Sequence, residues 1–307
     1  MAILNGIASK LKGSAGSLTF RRSAGRTIVS EKVTDVKISR TEPQQRHRTK
    51  WANVVQMYKG IRPLIDYGFE TKPQGVSDYN MFVKVNMQQS PVYLTKLLVA
   101  GGACVAAPYQ ITQGSLPAIV VSGTGQNVTT DISLGSDGIS AATTVAQFSR
   151  SVVSNNVDYN YGDQISFFLV KQLVNAETGI PYCQFFSCKV VLDAANDAKL
   201  WDGVLKNGFS SQDGTLGHSG NDGDCVYCWV HSRKVNGKTL VSSQTLINAN
   251  SILAEYQGDL AYNLAASSYG STRNVFLSPD GTATGNTNAG SGGGNDNPGG
   301  GGGNDSL

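Results

Sequence analysis

The sequence predicts an α+β protein: an N-terminal hairpin and helical segment, then a strand-rich, mostly antiparallel region, then a disordered Gly-rich tail. Three observations carry this. Apolar residues recur at helical spacing from residue 51 to about 100 and at strand spacing from 103 onward. Asn236-Gly237 separates two runs rich in β-branched and aromatic residues, the dipeptide of a type I′ hairpin turn. The last 27 residues, from Gly281, hold 11 of the chain's 36 glycines and no aromatic residue. Such a segment buries too little apolar surface to offset its ordering entropy. The chain therefore divides into a basic hairpin plus helical segment (1–102), a strand-rich α+β domain (103–280) and a flexible Gly/Asn-rich tail (281–307).

The elements follow in order. Residues 18–22 and 26–30 flank Ser23-Ala24-Gly25 and read as a hairpin with Arg21, Arg22 and Arg26 near its tip. Thr41-Glu-Pro-Gln44 has the form of a capping box with Pro just inside the helix. Trp51, Val54, Val55 and Tyr58 then form one apolar stripe, which Gly60 and Pro63 interrupt. Ser77 caps a second helix with Tyr79, Phe82, Val83 and Met87 on one face, and Ser90-Pro91 opens a third that Gly101-Gly102 ends. Cys104 to Ala107, Tyr109 to Thr112 and Ala118 to Val121 read as strands. Thr143 caps a helix carrying Val145, Phe148, Val152 and Val153. Asp163 to Lys171, Tyr182 to Leu192, Asp224 to Val235 and Lys238 to Ser243 read as strands. Leu253, Tyr256, Leu260 and Leu264 fit a closing helix that stops near Gly270.

The net charge of +3 hides an asymmetry. Residues 1–50 carry eleven Lys/Arg against three acids, a net +8, and the remaining 257 residues carry −5. Such an end is suited to a polyanion, though a solvated basic face explains it too. Six residues are the contact candidates: Arg21, Arg22 and Arg26 on the hairpin, and Arg46, Arg48 and Lys50 at the start of the first helix, with Phe20 and Trp51 as stacking faces. Composition excludes whole-chain disorder, since 40% of residues are hydrophobic. No apolar run reaches the ~20 residues of a membrane-spanning helix. The first residues lack the order of a signal peptide. The expected setting is cytoplasmic or particle-associated, with the five cysteines as thiols.

Chemistry-bearing motifs are sparse. Cys225-x-x-Cys228-x-x-His231 contains zinc-type ligands. On an extended strand, however, residues three apart point to opposite faces, and the interleaved Val226, Tyr227, Trp229 and Val230 look like ordinary core. These three stand as weak metal candidates beside a structural reading. Gly237-Lys-Thr239 resembles the end of a phosphate loop, but position 232 is Ser and the context is strand–turn–strand. The three histidines fall on a solvated helix face (His47), in the loop Gly214 to Asp224 (His218) and on a strand (His231), with no partner set for acid–base work. No catalytic residue and no cofactor are expected.

The chain also resembles an uncharacterised domain-of-unknown-function family abundant in Bacteroidetes. The resemblance rests on Gly16-Ser-Leu-Thr-Phe20, Gly25-Arg-Thr-Ile-Val-Ser-Glu-Lys32 and Arg40-Thr-Glu-Pro-Gln-Gln-Arg46. It continues through Ser77-Asp-Tyr-Asn-Met-Phe82, Val92-Tyr-Leu-Thr-Lys96, Tyr109-Gln-Ile-Thr-x-Gly-Ser-Leu-Pro117 and Gly162-Asp-Gln-Ile-Ser166, and closes on Ser268-Tyr-Gly270. It spans roughly residues 5–277 and implies no catalytic residue or cofactor. The expected function is that of a non-enzymatic structural or interaction protein, a component of a larger assembly or mobile-element particle. Its partners are other proteins or copies of itself, with no membrane. The alternative is nucleic-acid binding through the basic N-terminal 50 residues.

Overall fold

The computed structural model describes residues 2–4, 12–23, 26–34, 42–65, 68–200, 204, 207–220, 222–269, 275–277 and 283–285. It is an α+β protein with mostly antiparallel sheets. Thr41, the Gly25 turn, Gly270 and the tail from Gly281, apart from Ala283–Gly285, lie outside the described residues.

The N-terminal sheet orders its strands β1 (Ala2–Leu4), β4 (Arg26–Glu31), β3 (Leu18–Ser23), β2 (Gly13–Ala15). The hairpin read from the sequence is β3–β4, with Phe20 opposite Val29 and Arg22 opposite Thr27. Three helices follow: α1 (Glu42–Ile61), α2 (Asp78–Gln89) and α3 (Lys96–Ala100). Ser77 caps α2, as its sequence predicts, by accepting the Asn80 N–H.

Strand β5 (Gln110–Thr112) pairs with β14 (Gln244–Thr245). A second sheet orders β10 (Phe209–Gln212), β11 (Thr215–His218), β7 (Asn127–Ser133) and β6 (Val121–Thr124). Helix α4 (Val145–Asn155) lies between the strands of that sheet in sequence and packs on β7. The central sheet runs β13 (Lys238–Val241), β12 (Cys225–Val235), β8 (Gln164–Val174), β9 (Pro181–Val191), with β15 (Ile247–Ala249) pairing the other end of β12. Asn236 and Gly237 both have positive φ, 50° and 75°, and make the predicted type I′ turn of β12–β13. Helix α5 (Gly258–Ser268) and the pair β16 (Val275–Leu277) and β17 (Ala283–Gly285) complete the described elements.

Strands β8 and β12 of the central sheet are buried on both faces, which explains their near-continuous apolar runs. Val226, Cys228 and Val230 of β12 enter one core with Phe168, Val170, Val54, Met57 and Phe82. Cys225, Tyr227 and Trp229 enter the other with Phe167, Leu169, Phe148 and Phe209. Each such side chain removed from water contributes about 1.5–3 kcal/mol. The first core joins α1 and α2 to the strands, so the division drawn at residue 102 falls inside one core rather than between two.

Several local expectations are corrected. The buried face of α1 is Thr49, Asn53, Val54, Met57 and Ile61, while Trp51 is 39% exposed. The polar Asn53 disguised the true stripe. Ser90 ends α2 instead of opening the next helix, because Pro91 follows in extended chain; α3 begins five residues later, capped by Thr95. The cap of α4 is Thr144 rather than Thr143, in a reciprocal capping box with Gln147. The closing helix is a 3-10 turn over Ile252–Tyr256 followed by α5, which buries Ala261, Tyr262, Ala265 and Ala266 and exposes Leu260 and Leu264. The expected strand Ala118 to Val121 lies instead at Val121–Thr124, and the expected loop at 214–224 holds β11.

Residues 103–107 are fully buried yet form no strand. The Ala103 and Cys104 N–H groups bond to the Leu98 and Pro181 carbonyls, and side-chain amides pair the groups that follow. Asn53 accepts the Val105 N–H (2.7 Å) and donates to its carbonyl (2.9 Å). Gln172 accepts the Ala106 N–H (2.7 Å) and donates to the Cys104 carbonyl (3.3 Å). Asn250 donates to the Ala106 carbonyl (2.8 Å). Buried backbone groups must find partners, and three buried amides supply what a neighbouring strand otherwise would.

Candidate interaction edge and the buried polar clusters

Strand β9 closes one side of the central sheet. All eleven of its residues pair with β8 without a bulge, from Val174↔Pro181 to Gln164↔Val191. Its other side pairs with no strand among the described residues. Which groups face outward follows from the ladder. The Leu192 N–H bonds to the Asp163 carbonyl on the β8 side. Backbone direction alternates along a strand, so even-numbered residues turn their N–H and C=O toward β8 and odd-numbered ones turn outward. The outward Pro181 carbonyl fits this, since it accepts the Cys104 N–H at 2.9 Å. Cys183, Phe185, Ser187, Lys189 and Val191 therefore present their backbone groups along the edge.

The side chains there are apolar and partly uncovered. Tyr182 is 39%, Phe186 36% and Val191 47% exposed. Lys171 Nζ stands 5.9 Å from the centre of the Phe186 ring. On the opposite face α1 lies over Phe185: a Cβ at Gly60 would sit 2.1 Å from that ring, so glycine permits the approach. Edges of natural sheets are commonly shielded by bulges, charged side chains (lysine especially), proline, or short length. Strand β9 has Lys189 as its one charged residue and proline at its first position alone.

The basic candidates do not form one surface. Arg21, Arg22 and Arg26 are exposed. In the β3–β4 register Arg22 opposes Thr27 on one face, while Arg21 opposes Ile28 and Ser23 opposes Arg26 on the other. On α1, Arg46 and Lys50 are one turn apart and turned to aromatic rings. Arg46 stands 4.8 Å from the Tyr262 ring centre, Lys50 stands 5.1 Å from that of Tyr93, and Lys50 donates to the Gln88 carbonyl at 3.2 Å. Burial, and then the nearby Arg46 charge, pull the Lys50 ammonium below its usual pKa. Arg48 points elsewhere and lines a shallow hollow of about 390 Å³ with His47, Trp51, Ala52, Val99 and Tyr269.

Cys225 and Cys228 enter opposite cores, so they cannot share an ion. Burial pushes the Cys225 thiol up to about 12 and the Cys228 thiol higher still. Among the described residues no group of three or more His, Cys, Asp or Glu is placed to hold a metal. His231 belongs to a different arrangement. Its Nε2–H donates to Asp163 Oδ2 at 2.9 Å, and its ring stacks on Tyr159 at 4.3 Å. Arg233 grips Asp163 with Nε (2.8 Å) and Nη2 (2.7 Å) and adds a bond to the Asp158 carbonyl. Burial alone raises the Asp163 carboxyl, but bonds from Arg233, the Asn160 N–H and His231 outweigh it and hold it below the usual range. Burial pulls His231 below its ordinary value, against the opposing pull of Asp163.

His218 is fully buried and stacks on Tyr227 at 4.1 Å. Its Nδ1 lies 2.8 Å from the Gln126 carbonyl, which can only accept, so Nδ1 carries a proton. Its Nε2 lies 3.3 Å from Asp222 Oδ2, and Asp222 Oδ1 receives Lys171 at 2.9 Å. Both imidazoles are buried, and His218 Nε2 and Asp222 Oδ2 face each other without a hydrogen bond. A second hollow of about 400 Å³ is lined by residues 134–151, and its acid, Asp137, already accepts a bond from Ser151.

Sequence reading missed the edge because strand order is a tertiary property. The signal was present as the alternation Tyr182, Gln184, Phe186, which marks a half-solvated face beside the fully apolar β8. The bridging amides were also missed; an asparagine beside Val54 on an apolar helix face was the available clue.

Among the described residues no helix is long and apolar enough to cross a membrane. Comparison of the chain with protein-family models, curated proteins and solved structures finds no match.

Proposed function

We propose that this is a non-enzymatic structural or interaction protein, a subunit of a larger assembly or mobile-element particle, which docks by strand addition at β9. The observation that carries the reading is the regular eleven-residue edge with outward backbone groups and uncovered aromatic side chains. The doubly buried strands β8 and β12 behind it support the same reading, because a stiff sheet holds a docking strand in one geometry. The burial of His218 and His231 favours binding over turnover. None of the five cysteines is in a disulfide, which supports a reducing cytoplasmic or particle interior. The test is Ser187→Pro. The Ser187 N–H faces outward, so proline leaves the β8 ladder intact while removing a donor from the edge. Loss of association at unchanged thermal stability supports the reading; unchanged association with every partner overturns it.

A second reading rests on a separate observation. Exposed Trp51 lies beside His47, ring centres 5.4 Å apart, with Arg48 on the same hollow. This gives a stacking face and one cation for nucleic acid, with Arg21, Arg22 and Arg26 exposed separately on the two faces of the β3–β4 hairpin. Four phosphate contacts on single strands predict a log–log salt slope of about −3. Salt-independent retention, or retention unaffected by replacing those four arginines with alanine, removes this reading.

A further inference from the structure

We infer that His218 Nε2 and Asp222 Oδ2 are the two protein ligands of a zinc-class divalent cation, whose remaining positions are filled by water. The site is independent of the β9 edge.

Two buried atoms carry the inference. His218 is fully buried, and neither its Nε2 nor Asp222 Oδ2 has a hydrogen-bond partner. The two atoms stand 3.3 Å apart. The ring uses its Nδ1 proton on the Gln126 carbonyl at 2.8 Å, so neutral His218 turns a lone pair from Nε2 toward the carboxylate. Two acceptors that face each other away from water need a positive group between them. A zinc ion supplies it at the observed spacing. With zinc–nitrogen and zinc–oxygen bonds of about 2.0–2.1 Å and a tetrahedral angle, the two ligand atoms lie about 3.3–3.4 Å apart.

The neighbouring groups are arranged as supports for such an ion. A metal-bound imidazole commonly donates its other nitrogen to a carbonyl, and a metal-bound carboxylate is itself hydrogen-bonded. Here Nδ1 meets the Gln126 carbonyl, and Asp222 Oδ1 receives Lys171 Nζ at 2.9 Å, which leaves Oδ2 free. Gln126, in the turn between β6 and β7, positions both ligands. Besides its carbonyl, its side-chain oxygen accepts the Asp222 N–H at 3.2 Å and its side-chain nitrogen donates to the Gly223 carbonyl at 2.6 Å. Glycine at 208 and 220 keeps side chains away from the pair. A Cβ at Gly208 would collide with Asp222 Oδ2 and lie 2.7 Å from His218 Nε2, and one at Gly220 would lie 3.0 Å from Oδ2. Gly220 is exposed, which gives an ion a short path from solvent.

The ligand chemistry selects the ion. Imidazole nitrogen with one carboxylate suits zinc, whereas magnesium and calcium take shells of oxygen. Among the described residues no third His, Cys, Asp or Glu joins the pair. The ion would tie Asp222 to the end of β11 and, through Lys171, to β8.

The test uses the full chain stripped with a chelator, with zinc chloride as the probe. Calorimetry should show one zinc per chain, and zinc should raise the melting temperature. Magnesium should do neither. Asp222→Asn keeps the side-chain size and can donate its amide to Nε2, so the metal-free variant should fold while its zinc affinity falls by about tenfold or more. Nitrogen NMR of the native chain gives a second readout that needs no variant: zinc should shift the His218 Nε2 resonance and leave that of His231 in place. No binding of zinc, equal binding of magnesium, or zinc affinity unchanged in Asp222→Asn overturns the site. A His218 Nε2 that carries its own proton in the stripped chain and does not respond to zinc assigns the gap to a proton, and overturns it as well.

Discussion

Replacing Asn53 by alanine isolates what the buried amides do. Asn53 is fully buried and makes three bonds: to the Val105 N–H, to the Val105 carbonyl and to the Tyr109 hydroxyl at 2.9 Å. Val105 is itself fully buried, so alanine leaves two backbone groups without a partner and without water. Each orphan costs about 1–3 kcal/mol, and a loss of about 3–5 kcal/mol is expected for the pair. Asn86 provides the control. It bridges the N–H and carbonyl of Gln110 with the same two-pronged geometry, at 2.8 Å each. But Gln110 is only half-buried, so water can replace much of what Asn86→Ala removes, and a loss of about 1–2 kcal/mol is expected. Equilibrium urea unfolding of both variants measures the difference. Equal losses, or a loss under about 1 kcal/mol for Asn53→Ala, would refute the argument that amides stand in for a strand at 103–107.

Other perturbations follow from the same geometry. Gly60→Ala should lower the melting temperature despite alanine's better helix propensity, because its methyl meets the Phe185 ring; about 1–3 kcal/mol of overpacking opposes about 1 kcal/mol of propensity. Phe185→Leu in the same chain should recover part of the loss, and no recovery means the contact is not the cause. Acidification should destabilise the fold in two stages. His231 has a depressed folded pKa, so its contribution is complete above its ordinary value of about 6.5 and is lost as pH falls through the folded value. The carboxyl of Asp163 is also depressed, and its contribution goes at lower pH by the same sign. His231→Gln should flatten the first stage in a pH series of urea midpoints and leave the second. In native protein at pH 8, alkylation should spare Cys225 and Cys228, whose thiols are buried and pushed far above that pH, and reach them only on unfolding.

Much of the fold was legible because local chemistry and tertiary context agreed. Asn236-Gly237 supplies positive φ at two successive residues, which a type I′ turn needs, and it forms that turn. Ser77 caps the helix that its spacing announces. The opposite facing of Cys225 and Cys228 follows from strand periodicity alone. Where reading failed, a long-range partner had replaced a local rule. Residues 103–107 look like a strand because they are apolar, but their partners are side chains from residues 53, 172 and 250. Leu260 and Leu264 suggested the buried face of α5, whereas small alanines let it pack closely on the other side. The charge asymmetry pointed to a polyanion surface, yet Arg46 and Lys50 tie the start of α1 to Tyr262 and Tyr93. Which strand stands at an edge depends on the order of the whole sheet; locally, the alternation Tyr182, Gln184, Phe186 marks only a half-solvated face.

Residue-resolved amide hydrogen exchange along β9, as a function of protein concentration, tests the interaction edge most directly. Phe186, Cys188 and Val190 donate toward β8 and should exchange slowly at every concentration. Phe185 and Ser187 face outward and should exchange fast in dilute solution and slow together as concentration rises. Slow exchange of all five at the lowest concentration would mean that the chain covers its own edge, and would contradict the account.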